Sequence, residues 1–197
     1  MNRLLVCTAL RIEARAVRSG GADAGTGAGI SVLRVGMGTR RARTAAGRLP
    51  EHDMVVVAGF GAGAAAGLHP GDVVVASEVR YEPLVIPCPW SASLAEALGR
   101  RGLPVTVGPL ATVNHIASRQ DLARMAADGV TAVDMESFPL VEAADGKPFA
   151  VVRVVVDTAD HPLLRPATVR SGIRARARLR EVGRALGEWV SSAAVSA

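Results

Sequence analysis

Short apolar runs bounded by glycine, proline or acidic residues recur along the chain, and segments with helical spacing lie between them. This alternation is typical of a β-sheet with helices packed on its faces, so the predicted fold class is α/β. The predicted strands are residues 4–9, 31–35, 54–58, 72–78, 105–111 and 149–157. The predicted helices are residues 39–49, 91–101, 118–127, 136–144 and 170–190.

The chain has 197 residues, of which 49% are hydrophobic and only 3% are aromatic. That length can bury one core but is short for two ordinary domains, so we expect residues 1–197 to form a single domain. Small and branched aliphatic side chains dominate the apolar runs, and they suit parallel strands that are buried on both faces.

Cysteine usage and the first residues of the chain bear on the compartment. Cys7 and Cys88 form no disulfide framework, which favours a reducing cytoplasm. The apolar run within residues 1–9 is short and leads directly into polar residues, unlike a signal peptide or a membrane span. No His, Cys or carboxylate cluster has the spacing of metal ligands, so we expect a cytoplasmic protein with no metal site and no cofactor.

The formal net charge is +5, and many of the arginines lie within residues 165–184, where they alternate with apolar residues. One interpretation is the solvated face of a terminal helix, and a second is contact with an anionic membrane surface. Nucleic acid is not an expected partner, because aromatic residues are scarce and no reading motif accompanies the charge.

Two segments between the predicted elements are rich in glycine. Residues 59–64 follow a strand and loosely match a dinucleotide-binding turn, but Gly67, Pro70 and Gly71 interrupt any helix that would hold a pyrophosphate. We interpret residues 59–64 as a glycine-rich turn and exclude a Rossmann dehydrogenase. Residues 20–29 are predicted to form a flexible surface connection.

Prolines at positions 83, 87 and 89 exclude residues 81–90 from a central strand or a helix, because each proline lacks a backbone donor. The segment is predicted to be an apolar loop. One use for such a loop is to form the wall of a pocket.

Several motifs, in order along the chain, resemble the nucleoside phosphorylase and nucleosidase superfamily. The resemblance is to the 5′-methylthioadenosine/S-adenosylhomocysteine nucleosidases and to the hopanoid-associated phosphorylase branch. It implies a single α/β domain with a mixed central sheet flanked by helices, a small-molecule nucleoside substrate, and a homodimer in which a neighbour's loop completes the pocket. The motifs are ALRIE at 9–13, VGMG at 35–38, AGFGAG at 58–63, GLHPGDVV at 67–74, AVDMES at 132–137, PFAVVR at 148–153 and DTAD at 157–160.

The resemblance also implies roles for the acidic residues. Asp157 would be the general acid at the base, Glu13 would activate water, and Glu136 would bind the ribose hydroxyls with Met135 packed against the sugar. Each carboxylate also has an interpretation without function. Asp157 could form a turn where its strand ends, Glu136 could stabilise a helix end, and Glu13 could lie on a helix surface.

Further substrate contacts are expected from Phe60 and Gly61, and from His115 and Ile116 beside the base; His115 also has a purely structural interpretation. Phe60 and Val156 stand where similar nucleosidases have serine, so contacts to substrate are altered. Phe60 offers no hydrogen bond to phosphate, whereas Arg40, Arg41 and Arg43 could contact an anion.

The expected activity is hydrolysis of the N-glycosidic bond of a purine nucleoside. Adenine is the expected base, and the substrate would be a 5′-substituted adenosyl compound such as adenosylhopane or methylthioadenosine. A lipid-bearing substrate would suit both the apolar segment 84–90 and a basic surface beside a membrane. Two alternatives stay open at this point: a phosphate-dependent phosphorylase, and a noncatalytic nucleoside-binding protein of the same fold.

Overall fold

A computed structural model describes residues 3–22, 29–160 and 168–193. Its strands are β1 (Leu4–Thr8), β2 (Ile30–Arg34), β3 (Met54–Gly63), β4 (Val73–Tyr81), β5 (Leu84–Pro87), β6 (Val105–Thr112), β7 (Ala132–Asp134) and β8 (Phe149–Thr158). Its α-helices are α1 (Arg11–Val17), α2 (Thr39–Ala46), α3 (Ser91–Arg100), α4 (Arg119–Ala127), α5 (Ser137–Glu142) and α6 (Thr168–Ala193), and a π-helical turn, Arg18–Ala22, follows α1.

The described strands form one eight-stranded sheet in the order β2-β1-β3-β7-β6-β4-β5, and β8 pairs with both β3 and β4. The sheet is mixed: β1 is parallel to β2 and β3, and β8 is parallel to β3 but antiparallel to β4. The predicted α/β class with a mixed central sheet is confirmed. Periodicity alone missed β5 and β7, which are too short to show a pattern.

Helices cover both faces of the sheet. On one face, α1, α3 and α6 pack on a core that includes Val6, Val56 and Val152. On the other face, α2 and α5 pack on alternate residues of the same strands, including Leu5 and Val57. Strands buried on both faces require continuous apolar sequence, which explains why these runs were predictable.

The prediction of a glycine-rich turn at residues 59–64 is wrong. Residues 59–63 form the second half of β3. Strand β8 runs parallel beside it and pairs as far as Gly63 with Thr158, with a bulge between Gly61 and Ala62. A side chain at Gly61 would be crowded, because its Cβ would lie 3.0 Å from the Val133 carbonyl oxygen. Close backbone approach therefore accounts for glycine at this position.

The prediction of a loop at residues 81–90 is also wrong in part. Strand β4 extends to Tyr81, and β5 pairs antiparallel with it, so that Pro87 lies opposite Glu78. Strand β5 lies at the edge of the sheet, where a missing backbone donor is tolerated. The prolines therefore excluded a central strand correctly but not an edge strand.

The predicted surface connection 20–29 begins in the protein interior. Gly20 is buried, and a Cβ there would lie 2.2 Å from the Arg180 carbonyl oxygen of α6. Residues 23–28 lie outside the described residues. The start of this segment is therefore a packing contact between the π-helical turn and α6.

Helices α1 and α6 are in close backbone contact at Gly183, where a Cβ would lie 2.4 Å from the Val17 carbonyl oxygen. We expect Gly183→Ala to lower the free energy of unfolding by about 1–3 kcal/mol, because two backbones would have to separate. The matched control is Gly187→Ala, whose Cβ would lie 4.0 Å from Ile30 Cδ1. Urea unfolding should show the control unchanged or slightly more stable; equal stability of both variants would contradict the close packing.

Candidate active site

A cavity of about 350 Å³ lies where β1, β3 and β8 end, beside the segments that follow β6 and β7. Its walls are mostly apolar and include Leu10, Met37, Ala62, Val113 and Val156. Every residue that the sequence singled out for catalysis or substrate binding lines this cavity: Glu13, Phe60, Gly61, His115, Ile116, Met135, Glu136 and Asp157. The structure therefore brings together residues that are far apart in the sequence.

Asp157 lies near the end of β8, where its carboxyl group faces the cavity. The surrounding strands and the apolar wall remove water from this group. Burial consequently raises the pKa of Asp157 to about 6. An appreciable fraction of Asp157 is thus protonated near neutral pH, so the group can donate a proton.

Glu13 lies in the first turn of α1, and its side chain is only 2% exposed. One carboxylate oxygen, Oε1, accepts a hydrogen bond from the Phe60 N–H at 2.7 Å, and Oε2 accepts one from the Leu10 N–H at 2.7 Å. Burial raises the pKa of Glu13, although Arg153 and the backbone donors act in the opposite direction. The interpretation of Glu13 as a surface residue is therefore wrong.

Glu136 is the N-cap residue of α5 and is buried. Its Oε1 accepts a hydrogen bond from the Gly38 N–H at 2.8 Å, at the start of α2. Desolvation by burial raises the pKa of Glu136, with Arg153 opposing the shift and Asp134 adding to it. Beside it, the Met135 carbonyl accepts a hydrogen bond from Thr39 Oγ1 at 3.1 Å, which ties this wall of the cavity to α2.

Arg153 pairs with acidic residues that line the cavity, and its guanidinium is fully buried. Nη2 lies 2.5 Å from Asp134 Oδ2 and 3.7 Å from Glu136 Oε2. Burial opposes the charge of Arg153, but Asp134, Glu136 and Glu13 together keep its pKa above the usual value. Sequence reasoning did not assign this role, yet a single arginine in the middle of an apolar strand requires buried counter-charges.

Asp134 connects Arg153 to the start of α5. Its Oδ1 accepts a hydrogen bond from Thr112 Oγ1 at 2.8 Å and lies 3.2 Å from the Ser137 N–H, which donates to it. Its Oδ2 accepts a hydrogen bond from the Ser137 hydroxyl. The Asp134 side chain therefore caps α5, and the side chain of Glu136, which holds the N-cap position but makes no cap hydrogen bond, remains available to the cavity.

Glycine at position 59 is required by the same cluster. A Cβ at Gly59 would lie 2.6 Å from Arg153 Nη1 and 2.8 Å from Glu13 Oε1. These atoms belong to buried charged groups that cannot move into solvent. The glycine-rich end of β3 thus makes room for the Glu13–Arg153 pair, which is a different use from the turn that was predicted.

His115 and Ile116 follow β6 and are exposed at the cavity rim. His115 Nε2 lies 3.3 Å from Asp121 Oδ2. Hydrogen bonds from Ser118, together with His115, lower the pKa of Asp121 to about 2. The histidine that follows the DTAD motif, at position 161, lies outside the described residues.

Residues 81–90, for which a pocket wall was one predicted use, do not line the cavity. Tyr81 and Glu82 instead line a neighbouring cleft of about 540 Å³, which shares Val113 and His115 with the cavity. The reason is topological, because β5 lies at the far edge of the sheet from β3. Within the described part of the chain, the walls therefore come from the ends of β3, β7 and β8, from the segments after β1, β2, β6 and β7, and from the first turns of α1 and α6.

The described lining of the cavity carries no lysine or arginine, and two nearby backbone amides are already engaged. Arg40 and Arg41 line an adjoining depression that shares Met37 with the cavity, and Arg43 lies 3.5 Å from Glu142. The backbone amide of Gly38 already donates to the Glu136 carboxylate, and that of Phe60 donates to the Glu13 carboxylate.

The described helices include none that combines the length and the apolar character needed to cross a bilayer.

The chain was compared with known proteins. No curated protein matches it. It is similar to the S-adenosylhomocysteine nucleosidase of Streptococcus pyogenes in complex with 5-methylthiotubericidin, with 21% identity, 93% of this chain and 96% of that chain covered, and a TM-score of 0.73. It is also similar to the 5′-methylthioadenosine/S-adenosylhomocysteine nucleosidase of Campylobacter jejuni, with 13% identity, 95% and 100% covered, and a TM-score of 0.78.

A third similar structure is the futalosine hydrolase of Helicobacter pylori, with 15% identity, 100% of this chain and 98% of that chain covered, and a TM-score of 0.72. At these identities the structural likeness establishes the shared fold. The model of the phosphorylase superfamily matches residues 17–187, which is most of the chain. The chain therefore belongs to the phosphorylase superfamily.

Proposed function

We propose that this protein hydrolyses the N-glycosidic bond of a purine nucleoside and releases adenine. The observation that carries the proposal is the composition of one apolar cavity. It contains a carboxyl group with a pKa of about 6, Asp157, and two buried carboxylates, Glu13 and Glu136, that are fixed by backbone amides. Two carboxyl groups in different environments can divide acid and base work.

The reaction requires an acid at the base because negative charge develops on the purine as the bond breaks. Asp157 would donate its proton to the imidazole nitrogen of the departing base, so that adenine leaves as a neutral molecule. A carboxyl group whose pKa lies near the working pH is suited to this task.

The sugar side of the reaction develops positive charge. Glu136 would accept hydrogen bonds from the ribose hydroxyls, a contact that strengthens as the sugar becomes cationic. Glu13 would accept the proton of a water molecule whose oxygen forms the new bond to the anomeric carbon. The products are free adenine and a sugar with a hydroxyl group at that carbon.

Two features favour water over phosphate as the nucleophile. The amides of Gly38 and Phe60 could otherwise donate to an anion, but they already donate to Glu136 and Glu13. A dianionic phosphate would also have to approach these buried carboxylates without a lysine or arginine among the described lining residues. Both features oppose a phosphorylase.

The substrate that fits best is an adenosyl compound with an apolar group at the 5′-position, such as methylthioadenosine or adenosylhopane. The similar nucleosidases are described as acting on methylthioadenosine or S-adenosylhomocysteine. In this chain Met37, Ile116 and Val156 add apolar surface to the cavity, and Phe60 adds an aromatic ring. An apolar substituent would gain from these walls, whereas a charged one would lose its hydration.

The same function is consistent with a cytoplasmic homodimer, which we include in the proposal. Leu84 and Val85 of β5 are exposed aliphatic side chains on an edge hairpin. A second copy of the chain could cover them, since exposed aliphatic edges are a common place for association.

The decisive experiment measures adenine release from adenosine, methylthioadenosine and a 5′-alkylated adenosine, each with and without phosphate. We expect release that does not depend on phosphate, with kcat/KM at least about tenfold higher for the 5′-apolar substrates than for adenosine. A Glu13→Gln variant should bind the substrates but release little adenine. A strict requirement for phosphate would identify a phosphorylase, and binding without release in either condition would identify a noncatalytic protein.

A further inference from the structure

Helices α1 and α6 lie side by side on the same face of the sheet and run in the same direction. Ala16 of α1 and Leu179 of α6 belong to one core. Leu10, at the start of α1, and Gly172, in the first turns of α6, both line the cavity. Val17, at the end of α1, contacts Gly183 farther along α6. The outer sides of the two helices therefore form one continuous surface beside the cavity mouth.

This surface carries a concentration of positive charge. Arg11 and Arg15 of α1 are exposed, as are Arg176 and Arg180 of α6, and each pair has the i,i+4 spacing of one helix face. None of these four side chains forms an ion pair or a hydrogen bond with the described residues. The acidic residue of α1, Glu13, is buried and does not compensate them.

Exposed aliphatic side chains lie among the arginines. Ile12 of α1 is 44% exposed, and Ile173 of α6 is 67% exposed. Each of them is adjacent in sequence to an exposed arginine. We refer to Arg11, Ile12, Arg15, Ile173, Arg176 and Arg180 as the α1–α6 face. The face differs from an ordinary solvated helix because large apolar groups are exposed to water beside cations that pair with none of the described residues.

We propose that the α1–α6 face docks on an anionic lipid bilayer, with the mouth of the cavity next to the membrane surface. Arginines would bind lipid phosphate groups, and the isoleucines would enter the boundary between headgroups and acyl chains. A nucleic acid would use the arginines but would leave both isoleucines without an apolar partner, and the face offers no aromatic ring for base stacking. This inference depends on the surface alone and stands apart from the proposed reaction.

The test is co-sedimentation of the protein with vesicles of phosphatidylcholine alone and of phosphatidylcholine mixed with phosphatidylglycerol. We expect binding only to the anionic vesicles, and weaker binding as the salt concentration rises. The double variant Arg176→Gln/Arg180→Gln should lower the partition coefficient about twenty-five-fold, at about fivefold for each arginine. The variant Ile12→Ser/Ile173→Ser should also bind less, but with the same dependence on salt.

The matched control is Arg48→Gln/Lys147→Gln, which removes the same charge from exposed positions that precede β3 and β8, at the end of the sheet opposite the cavity. This control should bind vesicles like the unmodified protein. Equal losses in the two double variants would show that only net charge matters and would overturn the assigned face. Absence of vesicle binding would also overturn the proposal, and binding to duplex DNA without binding to vesicles would replace it with a nucleic-acid surface.

Discussion

Asp157→Asn is expected to lower kcat for adenine release about a thousandfold while KM changes little. Asparagine has nearly the same shape as aspartate, so the cavity and the bound substrate should keep their arrangement. Its amide can donate a hydrogen bond but is too weak an acid to transfer a proton to the departing base, and general acids contribute factors of about 10²–10⁴ to rates. Steady-state measurement of free adenine with the best substrate provides the comparison.

The dependence of this reaction on pH gives a second readout for Asp157. The acid must be protonated, and its pKa is about 6, so kcat should fall about tenfold per unit as the pH rises well above that value. Glu13 must instead be ionised to accept a proton from water, and its raised pKa places an acidic limb on the same profile. In Asp157→Asn the alkaline limb should disappear and the acidic limb should remain.

Asp160→Asn is the matched control, because Asp160 lies in the same motif but is exposed and does not line the cavity. Its kcat and pH profile should match those of the unmodified protein. If Asp157→Asn kept most of the activity, or if both variants lost it equally, Asp157 would be a structural residue at the end of β8.

The location of the cavity was predictable because two kinds of sequence information agree there. Apolar runs buried on both faces reveal parallel strands, and ligands of open α/β sheets bind where such strands end. Glu13 lies shortly after β1, and Asp157 lies near the end of β8. Their side chains therefore meet at one edge of the sheet. The resemblance to a known family then selected these carboxylates among many.

The errors have a common physical cause, which is pairing between segments distant in sequence. Residues 59–63 have the local composition of a turn, but pairing with β8, about ninety positions later, holds them as a strand. Residues 84–87 contain a proline but pair at an edge, where sequence gives no sign of a neighbour. The role of Arg153 was missed because its partners come from β7 and α5, and only the folded chain brings them together.

The buried Arg153 should be the most costly side chain to remove from this protein. We expect Arg153→Met to lower the free energy of unfolding by about 3–5 kcal/mol, because Asp134 and Glu136 would remain buried without a counter-charge. Methionine fills much of the volume of arginine, so the decrease in the free energy of unfolding measures the lost charge rather than an empty cavity. Urea unfolding can be followed through the fluorescence of Trp90, at the start of α3, and Trp189 of α6, whose rings pack together.

A pH series separates lost charge from lost packing in this variant. Without Arg153, the buried carboxylates are more stable when protonated, so the destabilisation should be smaller at pH 5 than at pH 8. Adding Asp134→Asn to Arg153→Met should restore part of the stability, since it removes one uncompensated carboxylate. The double variant should therefore be less destabilised than the sum of the two single variants.

Arg101→Met is the matched control for Arg153→Met. Arg101 also lies near two carboxylates, Glu181 and Glu188, but its side chain is 26% exposed and water can solvate what remains. This substitution should lower the free energy of unfolding by about 1 kcal/mol or less, and the decrease should be similar at pH 5 and pH 8. Similar, pH-independent losses in the two variants would contradict the view that a buried cation holds the acidic cluster of the cavity together.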